Sequence, residues 1–176
     1  MNIWHDMAED KVKPNDFYAV IEISKGSKAK YELDKETGML LLDRILHTSM
    51  QYPCNYGFIP RTYGDDNDPL DVLVLCSEDI QSMSLVRCYP IGVVMMVDGG
   101  ENDEKIIAVP YSDPMYNNIK ELEQLNKHVY EEMSHFFSTY KQLEGKTTKV
   151  ECVKGRADAE RIIQECMDKY KAKFGK

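Results

Sequence analysis

The first two thirds of the chain consist of short apolar runs separated by polar and glycine-containing turns. Runs rich in β-branched and aromatic residues predict strands near residues 17–23, 39–46, 71–75, 85–97 and 105–109. The last two runs flank Gly99 and Gly100, and paired glycines between apolar runs are typical of a hairpin turn. This part of the chain is therefore predicted to be mainly β.

The last third of the chain has the periodicity of helices. Apolar residues recur at steps of three and four between Leu122 and Tyr140, which predicts an amphipathic helix that ends near Gly145. A second helix is expected to begin at a cap formed by Asp158 and to bury a face that includes Cys166. Because the strands come first and the helices follow, the order favours a small closed barrel with helices packed outside it.

Composition and charge restrict the class of protein. Of the 176 residues, 43% are hydrophobic and 30% are charged, so we expect residues 1–176 to form a single globular domain. The formal net charge of −8 disfavours binding to nucleic acid or to an anionic membrane. No apolar run approaches the roughly 18 residues of a membrane span, and residues 1–16 lack the apolar segment of a signal peptide. The five cysteines are widely spaced and form no C-x-x-C pair, which is typical of reduced thiols in a cytoplasmic protein.

Candidate chemistry is concentrated between residues 64 and 73. Residues 65–71 contain four carboxylates, and no Lys or Arg lies between Arg61 and Arg87 to neutralise them locally. Carboxylates this close disfavour each other's ionisation unless a cation is present, and oxygen ligands suit Mg²⁺. The spacing does not fit an EF-hand, because the twelfth residue from Asp66 is Ser77 rather than Glu. The segment predicts either a site for a hard divalent cation or a solvated acidic turn.

Four further segments carry groups suited to metal or phosphate. They comprise a second acidic turn followed by a lysine, a strand with a lysine and a glutamate on one face, a pair of tyrosines four residues apart, and a Tyr-Lys pair at the end of the first predicted helix. Taken alone, each segment is more typical of a polar turn, an exposed strand face, a buried tyrosine or a lysine favoured by the end of a helix. The side chains concerned are Lys30, Glu32, Tyr52, Tyr56, Asp98, Asp103, Lys105, Tyr140 and Lys141.

Taken together, these segments resemble soluble family I inorganic pyrophosphatase of the short prokaryotic type. The pattern runs in order through E-I, K-Y-E, R, Y-P-x-N-Y-G, D-x-D-P-x-D-V-L, D-x(4)-D-x-K and H-F-F-x-x-Y-K, from about Tyr18 to Glu144. The resemblance implies an OB-like five-stranded closed barrel with flanking helices. It implies hydrolysis of the small molecule diphosphate to two phosphates with several Mg²⁺ ions per site, Mn²⁺ or another divalent ion being an alternative. It also implies a homo-oligomer, specifically a homohexamer.

The resemblance also implies roles for individual residues. Asp68 would be the general base for attack by a metal-bound hydroxide, and Tyr52 would support the residues that hold the phosphates. Gly99 stands where the family often carries an acidic residue, which removes a charge beside the metal loop. The implied metal ligands are Asp66, Asp71, Asp98 and Asp103, with Glu22 and Glu32 supporting metal-bound waters. The implied phosphate-binding residues are Lys30, Arg44, Tyr56, Lys105, Tyr140 and Lys141.

Two other functions are compatible with part of the pattern. Acidic loops with nearby lysines also suit a metal-dependent phosphohydrolase acting on nucleoside triphosphates or polyphosphate, although no P-loop or base-stacking motif is present. An OB-like module for nucleic acid would need a basic groove with exposed aromatic residues, which the acidic charge balance disfavours.

Overall fold

A computed structural model describes residues 1–175 of the chain. Within this range the strands precede the two long helices, apart from one strand between them. The strands are β1 (Val12–Lys13), β2 (Asp16–Ile23), β3 (Ala29–Leu33), β4 (Leu40–Ile45), β5 (Asn55–Phe58), β6 (Asp71–Val74), β7 (Leu85–Asp98), β8 (Glu101–Asn102), β9 (Lys105–Pro110) and β10 (Thr148–Gly155). The helices are α1 (Ile3–Asp6), α2 (Lys127–Thr139) and α3 (Arg156–Phe174).

Five of the strands close into a ring. Strand β2 pairs with both β5 and β7, β5 pairs with β6, β6 runs parallel to β9, and β9 pairs back to β7. Strand β10 extends the sheet along β7, while β3 and β4 form a separate hairpin. This arrangement confirms the mainly β fold with a closed five-stranded unit and two helices in the C-terminal half of the chain.

The ring strands are buried on both faces. On β6 and β9, Val72 and Ile106 pack in the cluster that contains the buried face of α3. Their neighbours Leu73 and Ile107 pack in the cluster that contains the buried face of α2. Successive side chains of a strand point to opposite faces, so a strand covered on both sides reads as a continuous apolar run. This is why β6 and β9 were recognisable in the sequence as unbroken apolar segments.

The first long helix is shorter than the periodicity predicted. Leu122 and Leu125 are buried, but they lie on a separate 3₁₀ turn before α2. The side chain of Asn126 accepts a hydrogen bond from the backbone N–H of His128 and starts the helix there. The helix is followed by a second 3₁₀ turn, and Gly145 adopts a left-handed conformation close to the predicted end.

The second long helix begins two residues before the predicted cap. Gly155 occupies the cap position, and Asp158 lies in the first turn, where it forms an ion pair with Arg161. An acidic residue in the first turn still favours the helix through the helix dipole. Strand β10 was not predicted, because it alternates between half-buried and exposed residues and has no apolar run.

The predicted hairpin turn between β7 and β9 is present. Strand β7 pairs antiparallel with β9, and Gly99 and Gly100 form its tip with φ angles of +59° and +85°. Two successive positive φ angles favour glycine and match the twist of paired antiparallel strands. Among residues 1–175, no helix combines the length and apolar character needed to cross a membrane.

Candidate active site

A polar cavity of about 250 Å³ opens beside the β3–β4 hairpin. Its wall is formed by strands of the ring, by the loop before β6, by the ends of the β7–β9 hairpin and by the segment after α2. Twelve of the fourteen predicted site residues line it. These are Glu22, Lys30, Glu32, Tyr56, Asp66, Asp68, Asp71, Asp98, Asp103, Lys105, Tyr140 and Lys141.

Lys105 lies at the centre of the charged groups and is only 2% exposed. The parallel register of β6 and β9 pairs Asp71 with Lys105, which brings their side chains together. The Lys105 Nζ donates hydrogen bonds to Asp71 Oδ2 at 2.7 Å, to Tyr56 Oη at 3.0 Å and to Asp103 Oδ1 at 3.2 Å. Burial alone would lower the pKa of Lys105, but Asp103 and Asp71 raise it well above its usual value.

The acidic loop before β6 is folded around its own carboxylate. The backbone N–H of Asp68 donates to Asp66 Oδ1 at 3.1 Å, and the N–H of Gly64 donates to the carbonyl of Asp68 at 2.8 Å. Asn67 adopts a φ of +67°, which an asparagine tolerates better than most residues. This tight turn directs Asp66 and Asp68 into the cavity on either side of the turn tip.

Several carboxyl groups in the cavity have raised pKa values. Burial, with Asp71 nearby, raises the pKa of Glu22 to about 8. Burial, again with Asp71, raises the pKa of Asp66 to about 7. Burial also raises the pKa of Asp71 itself, although Lys105 opposes that effect. Carboxylates held together in this way favour a bound cation, since added positive charge stabilises their ionised forms.

Glu22 also attaches the β3–β4 hairpin to the ring. It is 6% exposed, and its Oε1 accepts a hydrogen bond from the backbone N–H of Leu33 at 2.7 Å. The hairpin then presents Lys30 to the cavity, where its Nζ contacts Glu32 at 3.0 Å and Asp43 at 3.3 Å. A buried carboxyl group on β2 thus helps to position a lysine on a neighbouring sheet.

The opposite wall of the cavity comes from the segment after α2. Tyr140 is buried, and its ring stacks on Phe136 with centroids 5.1 Å apart. The next residue, Lys141, forms an ion pair with Asp98 at the end of β7. Helix packing therefore sets the position of Tyr140, while the ion pair joins Lys141 to the β7–β9 hairpin.

Two predicted site residues adjoin residues of the cavity wall but do not line the cavity. Tyr52 is 2% exposed, and its ring contacts those of Tyr56 and Phe136 with centroids 5.4 Å and 5.0 Å apart. Arg44 lies opposite Lys30 in the β3–β4 register, and its Nε is 2.6 Å from Oε1 of Glu144. Neither side chain is among the residues that line the cavity.

Lys35 and Trp4 line the cavity but were not predicted as site residues. Lys35, in the loop after β3, forms an ion pair with Asp68, and its Nζ lies 5.9 Å from the centre of the Trp4 ring. Trp4 is buried, and its indole N–H donates to the carbonyl of Thr62 at 2.9 Å. Neither residue has a motif around it that indicates a site. Trp4 reaches this position because α1 packs against residues 61–63, which directly precede the acidic loop.

The donor set fits a hard divalent cation, although the carboxylates are not gathered into a finished metal site. In residues 1–175, no three His, Cys, Asp or Glu side chains are already placed to hold an ion together. Two of the aspartates, Asp71 and Asp103, instead contact the ammonium of Lys105. The cavity nevertheless presents four aspartates with oxygen donors of the kind that Mg²⁺ and Mn²⁺ prefer, namely Asp66, Asp71, Asp98 and Asp103.

Comparison with known proteins gives a consistent result over nearly the whole chain. Residues 19–171 match the family described as inorganic pyrophosphatase. The inorganic pyrophosphatase of Aquifex pyrophilus is 48% identical over 171 residues, which cover 96% of this chain and 97% of the relative. The soluble inorganic pyrophosphatase of Zea mays is 46% identical over 167 residues, covering 95% of this chain and 78% of that relative.

Solved structures match this chain over nearly its whole length. The inorganic pyrophosphatase of Thermus thermophilus is 36% identical and superposes with a TM-score of 0.92, covering 97% of this chain and 99% of that structure. The inorganic pyrophosphatase of Helicobacter pylori is 39% identical and superposes with a TM-score of 0.89, covering 95% of this chain and 99% of that structure. The cavity, the family match and these relatives agree, and the chain belongs to the inorganic pyrophosphatase family, the hydrolases that cleave inorganic diphosphate.

Proposed function

We propose that this cavity hydrolyses diphosphate in a magnesium-dependent reaction. The observation that supports this most directly is the arrangement around Lys105, where one buried cation lies between Asp71 and Asp103 and beside Tyr56. Such a site can hold both cations and a polyanion, because carboxylates and positively charged donors alternate along its wall. Membership of the family implies dependence on a divalent cation, and Mg²⁺ is our specific proposal.

Four aspartates, namely Asp66, Asp71, Asp98 and Asp103, would hold the Mg²⁺ ions. Mn²⁺ or another divalent ion suits the same oxygen donors. When bound, these cations neutralise phosphate charge and make a nearby water more acidic. Glu22 and Glu32 also face the cavity, where each would accept hydrogen bonds from waters around the ions. Because residue 99 is glycine, Asp98 has no acidic neighbour at the end of β7.

The phosphates of the substrate would be held by cations and hydroxyl groups. Lys105 and Lys30 reach the cavity from β9 and β3, while Tyr56 offers its hydroxyl from β5. Tyr140 and Lys141 approach from the opposite wall. Arg44 would join them from β4, where it lies opposite Lys30, and Tyr52 would fix the ring of Tyr56 through their edge-to-face contact.

Asp68 would act as the general base. It lines the cavity, and its side chain is 48% exposed, so it can exchange a proton with water. In the reaction, a water oxygen attacks one phosphorus while Asp68 accepts a proton from that water. The bond between this phosphorus and the bridging oxygen breaks, and the bridging oxygen leaves as part of the second phosphate. Positively charged side chains stabilise the charge that develops on the leaving phosphate.

We also propose the oligomeric state, the partners and the location of the protein. The net charge of −8 disfavours nucleic acid and anionic membranes as partners. Exposed apolar side chains on and beside the β3–β4 hairpin, including Leu41 and Ile45, support association into a homo-oligomer, which family resemblance suggests is a hexamer. The chain would act as a single domain in the cytoplasm, where its five free cysteines stay reduced.

Phosphate release from diphosphate tests the proposal. We expect release in Mg²⁺, little release in EDTA, and a loss of about 10²–10⁴-fold in kcat for Asp68→Asn, the usual range for a general base. ATP is the comparison substrate, and release from ATP at an equal rate would favour a broader phosphohydrolase. An Asp68→Asn variant with unchanged kcat would refute the proposed role of this carboxylate.

A further inference from the structure

Glu144 is an unusually buried carboxylate outside the cavity. It lies on the 3₁₀ turn Gln142–Glu144, three residues after Lys141, and its side chain is 6% exposed. Among residues 1–175, its one ion-pair partner is Arg44, whose Nε lies 2.6 Å from Glu144 Oε1. A carboxylate removed from water to this extent needs a positive partner, since an isolated buried charge is strongly unfavourable.

The same contact leaves part of the arginine without a partner. Among residues 1–175, Arg44 Nε, Arg44 Nη2 and Glu144 Oε2 are all buried and make no hydrogen bond, so Nε and Glu144 Oε1 form an ion pair without hydrogen-bond geometry. Nη1 contacts Asp43, so the two carboxylates occupy two sides of the guanidinium and leave the third free. Guanidinium groups bind phosphate through donors that lie in one plane, so the direction of that plane determines whether Nη2 can reach an oxygen.

The ion pair also joins two segments that contribute other residues to the cavity wall. Arg44 lies on β4 opposite Lys30, whereas Glu144 closely follows Tyr140 and Lys141. Holding the arginine from this side fixes it relative to both walls. Without Glu144, Asp43 alone would contact the guanidinium, and its plane could turn about that contact.

We infer that Glu144 is a positioning residue that holds the Arg44 guanidinium in the direction needed to bind a phosphate of the substrate. The inference rests on the proposed phosphate-binding role of Arg44. The side chain of Glu144 forms an ion pair with no other residue of the described chain, so it would act through the arginine. Its effect should therefore appear mainly in substrate affinity, and it should disappear when residue 44 no longer presents a planar guanidinium.

A double-mutant cycle tests this inference. Glu144→Gln keeps the size of the side chain and removes its charge, and Arg44→Lys keeps a positive charge and removes the planar donor group. We expect Glu144→Gln to raise KM for diphosphate about tenfold with a smaller change in kcat. In the Arg44→Lys background, the same Glu144→Gln change should alter kcat/KM by less than about twofold, because coupled sites are not additive. Equal factors in the two backgrounds would overturn the inference.

The proposed role of Arg44 can fail independently. Arg44→Lys with wild-type kcat/KM would refute the phosphate contact itself, which belongs to the proposed function. A large loss in Arg44→Lys combined with an independent effect of Glu144→Gln would refute only the positioning role. Glu165→Gln is the matched control, because Glu165 forms an ion pair with Arg161 on the exposed side of α3 at 2.7 Å. We expect that control to leave KM unchanged within about twofold.

A second variant, Glu144→Asp, carries the test if Glu144→Gln does not fold. If the thermal unfolding midpoint shows that Glu144→Gln does not fold, Glu144→Asp carries the same test, since it keeps the charge and shortens the reach by one methylene. Its rise in KM should be smaller than tenfold, about threefold, and should also vanish in the Arg44→Lys background. A rise in KM that persists there would refute the inference.

Discussion

Replacing Lys105 by Met tests whether one buried cation balances the carboxylates of the cavity. Lys105 is 2% exposed, and its Nζ lies 2.7 Å from Asp71 and 3.2 Å from Asp103. Met has a similar volume and removes the charge, so the packing around β9 changes little. Two carboxylates then lose their shared counter-charge in a place with little access to water.

The magnitude follows from these distances. With an effective dielectric constant of about 20, the two attractions amount to about 6 and about 5 kcal/mol. The cost of removing the ammonium from water, several kcal/mol, offsets much of this. Protonation of Asp71 relieves another part, because burial raises the pKa of that carboxyl. Removal of one partner from a buried ion pair typically destabilises a protein by about 3–5 kcal/mol, and we expect Lys105→Met to fall in that range at pH 7 in EDTA.

Urea unfolding of wild type and Lys105→Met in EDTA measures the difference in free energy of unfolding. The matched control is Lys169→Met, because Lys169 pairs with Asp65 at 2.7 Å while both side chains are nearly half exposed. That exposed pair should contribute less than about 1 kcal/mol. Mg²⁺ should narrow the gap between wild type and Lys105→Met by supplying positive charge. A loss below about 1 kcal/mol for Lys105→Met in EDTA would refute the reasoning.

Three further predictions concern the fold. Gly57→Ala should abolish folding at 37 °C, because a Cβ there would lie 1.8 Å from a backbone oxygen of β2. A soluble variant with a native circular dichroism spectrum would contradict this prediction. Burial raises the pKa of Asp113, but hydrogen bonds from the backbone and hydroxyl of Ser77 help to bring it below its usual value. Asp113→Asn should therefore destabilise the protein at pH 7, and the difference should shrink as the pH falls below about 4, where wild type loses the same contribution. Urea unfolding at pH 7 and pH 3 measures this, and an equal difference at both values would count against it. Burial raises the pKa of Cys54 to about 12, whereas Cys152 is exposed, so a thiol reagent should modify Cys152 in the native protein and Cys54 only after unfolding. Mass spectrometry of the labelled peptides decides, and rapid native labelling of Cys54 would show that its burial is incomplete.

Much of the fold was predictable because burial on both faces leaves a mark in the sequence. Strands β6 and β9 were found as unbroken apolar runs, and the turn between β7 and β9 was found from Gly99 and Gly100. The start of α2 was predicted too early in the chain. Leu122 and Leu125 are buried side chains of a 3₁₀ turn, and their spacing resembles that of a helix. Strand β10 was missed because it forms by pairing with β7 and contains no apolar run of its own.

The candidate site shows the same division. Residue types and their order were enough to select the carboxylates around Asp68 and to relate them to Lys30 and Tyr56 far away in the chain. The order of these motifs resembles one family, and through that resemblance the sequence by itself indicated the family and the class of reaction. Side-chain chemistry alone indicated only which groups can hold a cation or a phosphate. Which of these groups contact each other was decided only by the tertiary structure. The parallel register of β6 and β9 places Lys105 beside Asp71, and the turn after α2 places Glu144 beside Arg44. Those contacts depend on strand pairing and packing between distant segments, which no local pattern of residues encodes.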